Sequence, residues 1–224
     1  MAVAPLNKFL TVAVPVAPGE QTVYTTPTGV SAIVLYAQVA NVGINTYPTL
    51  TFTHRRKSTS ARTAGNTRNV RVIKDIEIPP NDSLVIIDGR LVLERTAIIT
   101  DSIVIEGFQD GILDVENCEY DNETGVTTVT TTTPHNFAVD DYVTMSGLEF
   151  TCPPGNYGLT TSIFPSPQQS FIVESIITDG VGVSKTFVTN SGTVSGIIHN
   201  YSTGGKVAPL QMEFICSILE NSTT

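Results

Sequence analysis

Apolar and polar residues alternate with period two along most of residues 9–106, the spacing of half-buried strands rather than of helices. Phe9-Leu10-Thr11-Val12-Ala13-Val14 reads as an edge strand stopped by Pro15. Thr22–Tyr24, Ser31–Ala40 and Thr49–Arg55 follow, separated by Pro27-Thr28-Gly29 and by Asn41-Val42-Gly43. Val70–Ile78 alternates again, with a doubled apolar pair at Val72-Ile73 that predicts a bulge. Beyond the Pro79-Pro80-Asn81-Asp82 turn come Ser83–Ile87, Arg90–Glu94 and Ser102–Glu106. The Asp88-Gly89 dipeptide between the first two predicts a hairpin. Many short strands between turn residues predict an antiparallel β-sandwich.

The segment Leu210–Glu220 has the same period, with Leu210, Met212, Phe214, Cys216 and Ile218 on one face. A lone strand leaves its backbone groups unpaired, so this one is expected to complete the sheet begun near the N-terminus. The residues between then form an insertion. Its own signals are β as well: Val126–Thr133, Asp141–Met145, Phe171–Glu174, Lys185–Val188 and Thr193–His199, with a loop-rich stretch from 147 to 170 and a Gly204-Gly205 return hinge. The expected organisation is all-β: residues 1–112 plus 206–224 as an antiparallel β-sandwich, and residues 113–205 as an inserted second small β domain.

Charge sharpens that boundary. The chain of 224 residues carries a net charge of −9. Residues 1–112 hold 10 bases and 9 acids, whereas 113–205 hold Lys185 alone against 10 acids. One contiguous block therefore carries the excess, which marks a separate acidic unit. Charged residues make up only 15% of the chain, so Thr, Ser and Asn must supply the polar surface, a composition suited to sheets. No apolar run approaches the ~20 residues needed to span a bilayer as a helix. Pro15 and Thr11 interrupt the first apolar stretch, and no secretory leader is expected.

The chemistry-bearing residues do not gather in sequence. Cys118, Cys152 and Cys216 lie 34 and 64 residues apart, which suits neither a zinc site nor a disulfide framework and predicts buried free thiols. His54, His135 and His199 lack paired metal-ligand spacing, and no GxSxG elbow is present. His135 reads as a polar turn residue, and Asp140-Asp141 as turn carboxylates outside any calcium-loop pattern. No catalytic residue, cofactor or metal is expected. Bases do cluster: residues 55–74 contain seven and no acid, including Arg55 at the end of its strand and Arg56, Lys57, Arg62 and Arg68 in a predicted loop from Arg56 to Asn69. Without an interleaved aromatic, and on an acidic chain, nucleic acid is not the expected partner. Opposite charge on the insertion makes a neighbouring copy the better one, and these five residues are the candidate assembly interface. Tyr142, Phe150, Tyr157 and Phe164 in the insertion are candidate stacking faces for a glycan.

Several runs carry a resemblance. Val23–Val30, Ile33–Asn41, Thr51–Arg56, Ile76–Ser83, Gly89–Glu94 and Ser217–Glu220 resemble small virion structural proteins of tailed bacteriophages, those of cyanobacterial myoviruses above all. Thr128–Gly147 is similar to a small β module found in phage tail and fibre proteins. The resemblance implies a non-enzymatic structural subunit of a virion, assembled in the host cytoplasm at the tail, neck or baseplate. It implies partnership with other virion proteins and with copies of itself as a homo-oligomer, without membrane. The alternatives are a capsid decoration or cement protein, and a host-attachment module whose insertion binds glycan.

Overall fold

The computed structural model describes residues 7–59, 66–152, 160–178, 182–193 and 199–222, and these form eighteen strands and no helix. No helix of the described residues is long and apolar enough to cross a membrane. The chain divides into two compact units: Met1–Phe108 with Gln211–Thr224, and Gln109–Leu210.

In the first unit the strands are β1 (Asn7–Pro15), β2 (Gly19–Thr25), β3 (Val30–Asn41), β4 (Thr49–Ser58), β5 (Thr67–Glu77), β6 (Ser83–Glu94), β7 (Ile99–Phe108) and, after the insertion, β18 (Met212–Ser222). They pair antiparallel as two four-stranded sheets, β1-β18-β3-β6 and β2-β7-β4-β5. This is the strand order of a jelly roll, in which the chain crosses between sheets at nearly every connection. Only β4 and β5 are a local hairpin. The connection from β7 to the last strand, normally a loop, is here the whole second unit.

Alternation explains the core. Ala32, Val34, Ala37 and Val39 of β3 face Leu50 and Phe52 of β4 and Ile103 and Ile105 of β7, all of them fully buried. The period slips at Leu35, where a bulge against β18 and β6 keeps Ala37 and Val39 inward. From β18 come Met212, Phe214, Cys216 and Ile218, and the Phe214 ring meets Phe52 at 5.9 Å between the sheets. Each large side chain withdrawn from water contributes roughly 1.5–3 kcal/mol. At the end of β18 the Tyr24 hydroxyl donates to Glu220 Oε1 at 2.8 Å, which satisfies a buried carboxylate.

Three expectations are corrected. Asp88-Gly89 does not turn: β6 runs continuously from Ser83 to Glu94 and absorbs the dipeptide as an irregularity opposite β3. The wide partner strand β3 offers pairing on both sides of that point, and this outweighs the local turn preference. Nor do Arg56–Asn69 form one loop, because β4 extends to Ser58 and β5 begins at Thr67. Gly204-Gly205 is no return hinge between units. Both glycines have positive φ (77° and 101°) and turn the chain from β16 into β17, which still belongs to the insertion.

The second unit is built from β8 (Leu113–Tyr120), β9 (Val126–Thr131), β10 (Tyr142–Ser146), β11 (Glu149–Cys152), β12 (Thr160–Ile163), β13 (Ser170–Ile172), β14 (Ser175–Thr178), β15 (Ser184–Asn190), β16 (Asn200–Thr203) and β17 (Lys206–Pro209). A seven-stranded sheet runs β13-β10-β17-β8-β9-β15-β14, and a three-stranded one β12-β11-β16. The large sheet curls until its ends meet: Thr189 Oγ1 donates to the Ile172 carbonyl and Glu174 N–H to the Val188 carbonyl. Val129, Val143, Met145, Phe150, Val173, Phe187 and Val207 fill its interior. The entering strand β8 and the exiting strand β17 lie side by side through Leu113–Val207 and Asp114–Lys206. The last residues of the insertion are therefore held by its own sheet, and the unit ends at Leu210 rather than at 205.

Candidate interaction surfaces

Of the five basic candidates, Arg62 lies outside the described residues. Arg55 and Arg56 stand on β4 and are engaged within the chain. Arg55 Nη2 donates to Glu20 on β2, and its Nε donates to Asn69 at 2.9 Å. The bond from Arg55 holds the Glu20 carboxyl below its ordinary range. Arg56 forks onto Asp101 of β7, Nε to Oδ1 at 2.8 Å and Nη2 to Oδ2 at 2.7 Å, and also reaches Glu94 at 3.4 Å. Lys57 and Arg68 are exposed.

Asp101 is the centre of this group. Its side chain is 0% exposed, yet it accepts the Arg56 fork and the Glu94 N–H at 3.0 Å, with His54 Nε2 at 3.2 Å. Burial pushes its carboxyl pKa up, but Arg56, the Glu94 amide and His54 outweigh that and hold it below the ordinary value. The sequence gives no sign of this cluster, because its members come from three strands. Alternation predicts only that Asp101 and Arg56 each face inward or outward, and cross-strand register decides that they meet.

The outer face of the β1-β18-β3-β6 sheet departs most from a solvated surface. Register places Phe9, Leu219, Ile33 and Val92 in one row across all four strands. Phe9 is 74% exposed and Val92 51%. The next outward row is Thr11, Ser217, Tyr36 and Asp88, where the Tyr36 hydroxyl donates to the Gln38 side chain. The row after it is Ala13, Ile215, Gln38 and Val85, with Ile215 and Val85 exposed. At this end a shallow depression of about 330 Å³ is lined by Ala13, Pro15, Gln38, Ala40, Glu213 and Ile215, among others. An antiparallel sheet facing water normally carries polar residues there. The signal was present in Phe214-Ile215-Cys216-Ser217-Ile218-Leu219, where apolar residues occupy both parities of one strand.

In the second unit the four glycan candidates do not assemble. Tyr157 lies outside the described residues. Phe150 is fully buried, and Phe164 is packed against it at 5.9 Å and against Tyr120 at 4.6 Å. Phe150 and Phe164 are therefore core, joined by His199, which stacks on Phe164 at 5.3 Å, and flanked by the half-buried Tyr120 and Tyr201. Tyr142 alone is exposed, on β10. Beside the cluster a groove of about 340 Å³ is lined by Asn117, Cys118, Glu119, Tyr120, His199, Asn200 and Tyr201. A second depression of about 500 Å³ shares Glu119 and Tyr120 with it. The sequence does not show this groove, because a bulge between Val115 and Asn117 breaks the alternation of β8.

The remaining polar candidates are structural. His135 lies between β9 and β10, where its Nδ1 accepts the Phe137 N–H at 3.3 Å; its ring is buried, stacked on Phe137 at 5.0 Å and edge-on to Phe187 at 5.5 Å, and burial lowers its pKa. Asp141 Oδ2 accepts the Ala138 N–H at 2.7 Å and so closes a local turn. Cys118 and Cys216 are free and buried, each pushed up to about 12 by desolvation. Among the described residues no group of three or more His, Cys, Asp or Glu is placed to hold a metal ion.

No family model matches the chain, and no curated protein does. Among solved structures, the N-terminal CBM22-1–CBM22-2 tandem domain from Paenibacillus barcinonensis Xyn10C is 10% identical with a TM-score of 0.21. That overlap covers 98% of this chain and 91% of the other. The T=1 Penaeus vannamei nodavirus is 11% identical with a TM-score of 0.14, over 99% of each chain. Overlaps of this quality define neither a fold family nor a role.

Proposed function

We propose that this protein is a non-enzymatic structural subunit of a tailed-phage virion and acts by adhesion at the tail, neck or baseplate. The observation that carries the reading is the apolar row Phe9-Leu219-Ile33-Val92 on the solvent side of a jelly-roll sheet. A rigid sandwich with an uncovered apolar sheet face is built to pack against another protein surface. The likeness of residues 23–56 and 76–94 to phage structural proteins supplies the setting. Chemistry would need reactive side chains converging on a cleft. Here the fully buried carboxylate of Asp101 is instead tied across strands to Arg56.

Immunogold labelling of purified particles with antibody to the recombinant chain tests this. Label at the tail, neck or baseplate is expected. Label on the capsid surface moves the subunit to a decoration role, and intact particles without the chain overturn the reading.

The groove along β8 favours a second reading, in which the insertion binds a host glycan. Asn117, Glu119 and Asn200 offer amides and a carboxylate next to the Tyr120 and Tyr201 rings, the donors, acceptors and apolar faces that sugars use. Because the unit is acidic, neutral or amino sugars are the expected class rather than anionic ones. Glycan-array binding that is lost in Glu119→Ala and Asn200→Ala supports it, and an array blank for the wild type removes it.

A further inference from the structure

We infer that the β1-β18-β3-β6 face is a two-fold interface between copies of this chain, in which Phe9 of one copy seats in the Ala13–Pro15 depression of the other. The inference deepens the assembly reading and rests on it.

The face is self-complementary about its middle. Phe9 and Ala13 lie on the same strand, equally far from the central row Thr11-Ser217-Tyr36-Asp88. One end carries the projecting ring. The other carries small or flat residues, Ala13, Pro15 and Ala40, around a depression. A two-fold axis lying in the interface along the central row turns one copy over onto the next, exchanging the two ends. It sets each Phe9 over an Ala13, Leu219 over Ile215 and Val92 over Val85. Both knobs are filled by one operation, which is the condition an isologous contact must meet.

Glu213 is the one charged residue lining the depression, and the rotation places it over the uncharged Asn7–Asn221 end of its mate. Asp88 falls on the axis row but at the β6 edge, next to Arg90 and open to solvent, where like charge is screened.

The area is sufficient. Four strands about 4.8 Å apart, nine residues long, present on the order of 550 Å² per copy, or about 1,100 Å² for the pair. Specific interfaces begin near about 1,000 Å². Facing sheets at about 10 Å separation would let the two apolar rows interdigitate as they do inside a sandwich. A heterologous contact through β5 is the competing route to self-assembly. Its two register irregularities and the positive φ of Asp75 make that edge a poor template.

Sedimentation equilibrium of the full chain across micromolar concentrations tests the inference, with thermal unfolding as the check on fold. The wild type is expected to be a dimer. Phe9→Ala empties the contact, Ala13→Phe sets ring against ring, and each should weaken the dimer roughly tenfold or more. The double variant Phe9→Ala/Ala13→Phe exchanges knob and hole and should restore wild-type association, which no purely structural role of either residue predicts. A monomeric wild type, single variants that associate normally, or a double variant no better than the singles each overturns the interface. A monomer still found in purified particles removes this contact and leaves the assembly reading standing. A dimer absent from particles does the reverse.

Discussion

Asp101 shows how a single buried charge is held. Its carboxylate is removed from water, and the Arg56 fork with the Glu94 N–H returns what hydration would have given. Replacing it with Asn leaves the guanidinium facing a neutral amide. Water still reaches Arg56, so the expected loss is roughly 2–4 kcal/mol, discounted for that exposure from the range for breaking a fully buried pair. The pH dependence has a definite sign. The Asp101 pKa is lower folded than its unfolded value near 3.8, so its stabilisation is complete above that value and disappears as pH falls through the folded pKa. Denaturant midpoints of wild type and Asp101→Asn should therefore differ at neutral pH and converge on acidification. His135 behaves oppositely in origin. Burial lowers its pKa from 6.5, so the neutral ring suits the fold and the unfolded chain takes up the proton first. The second unit should lose stability as pH drops below about 6.5, and His135→Gln should flatten that slope in a fluorescence-monitored titration.

At the scale of strands, β18 decides whether the first unit exists. It lies between β1 and β3 and contributes Phe214 to the centre of the core. Phe214→Ala should cost about 3–5 kcal/mol, read as a shift in denaturant midpoint at unchanged slope. This strand was legible in the sequence because period two places Met212, Phe214, Cys216 and Ile218 on one face, and because a strand without partners must find them elsewhere in the chain; Leu210, of the same period, falls outside it in the second unit. Strands β1 to β4 and β7 were legible for the same reason. The continuity of β6 was not, since a local Asp88-Gly89 preference of the hairpin kind competes with non-local pairing to β3, whose Tyr36 stands opposite Asp88. The short strands β11, β12, β14, β16 and β17 carry four residues each, too few to show a period. The Asp101 group and the exposed apolar rows depend on cross-strand register, which alternation within one strand does not encode.

The whole molecule is a jelly roll interrupted at one connection by a second closed unit, and this organisation can be tested by removing the interruption. Within the first unit the two points where the chain departs and returns lie close. Gly107 sits beside the Met212 side chain, near enough that a Cβ there would come within 3.1 Å of Met212 Cε. A short flexible bridge can therefore join Phe108 to Gln211 at small entropic cost. Both four-stranded sheets retain every pairing in that deletion, because no strand of either comes from residues 109–210. The same bridge placed from Ile112 to Lys206 removes residues 113–205 and leaves β17 without β8 and β10, its only neighbours in the sheet. Val207 and Ala208, fully buried in the intact chain, would then be exposed. The 109–210 deletion should unfold cooperatively as a soluble β protein, whereas the 113–205 deletion should aggregate or bind a hydrophobic dye. Equal behaviour of the two would place the boundary elsewhere, and failure of both would mean that the sandwich depends on its insertion to fold.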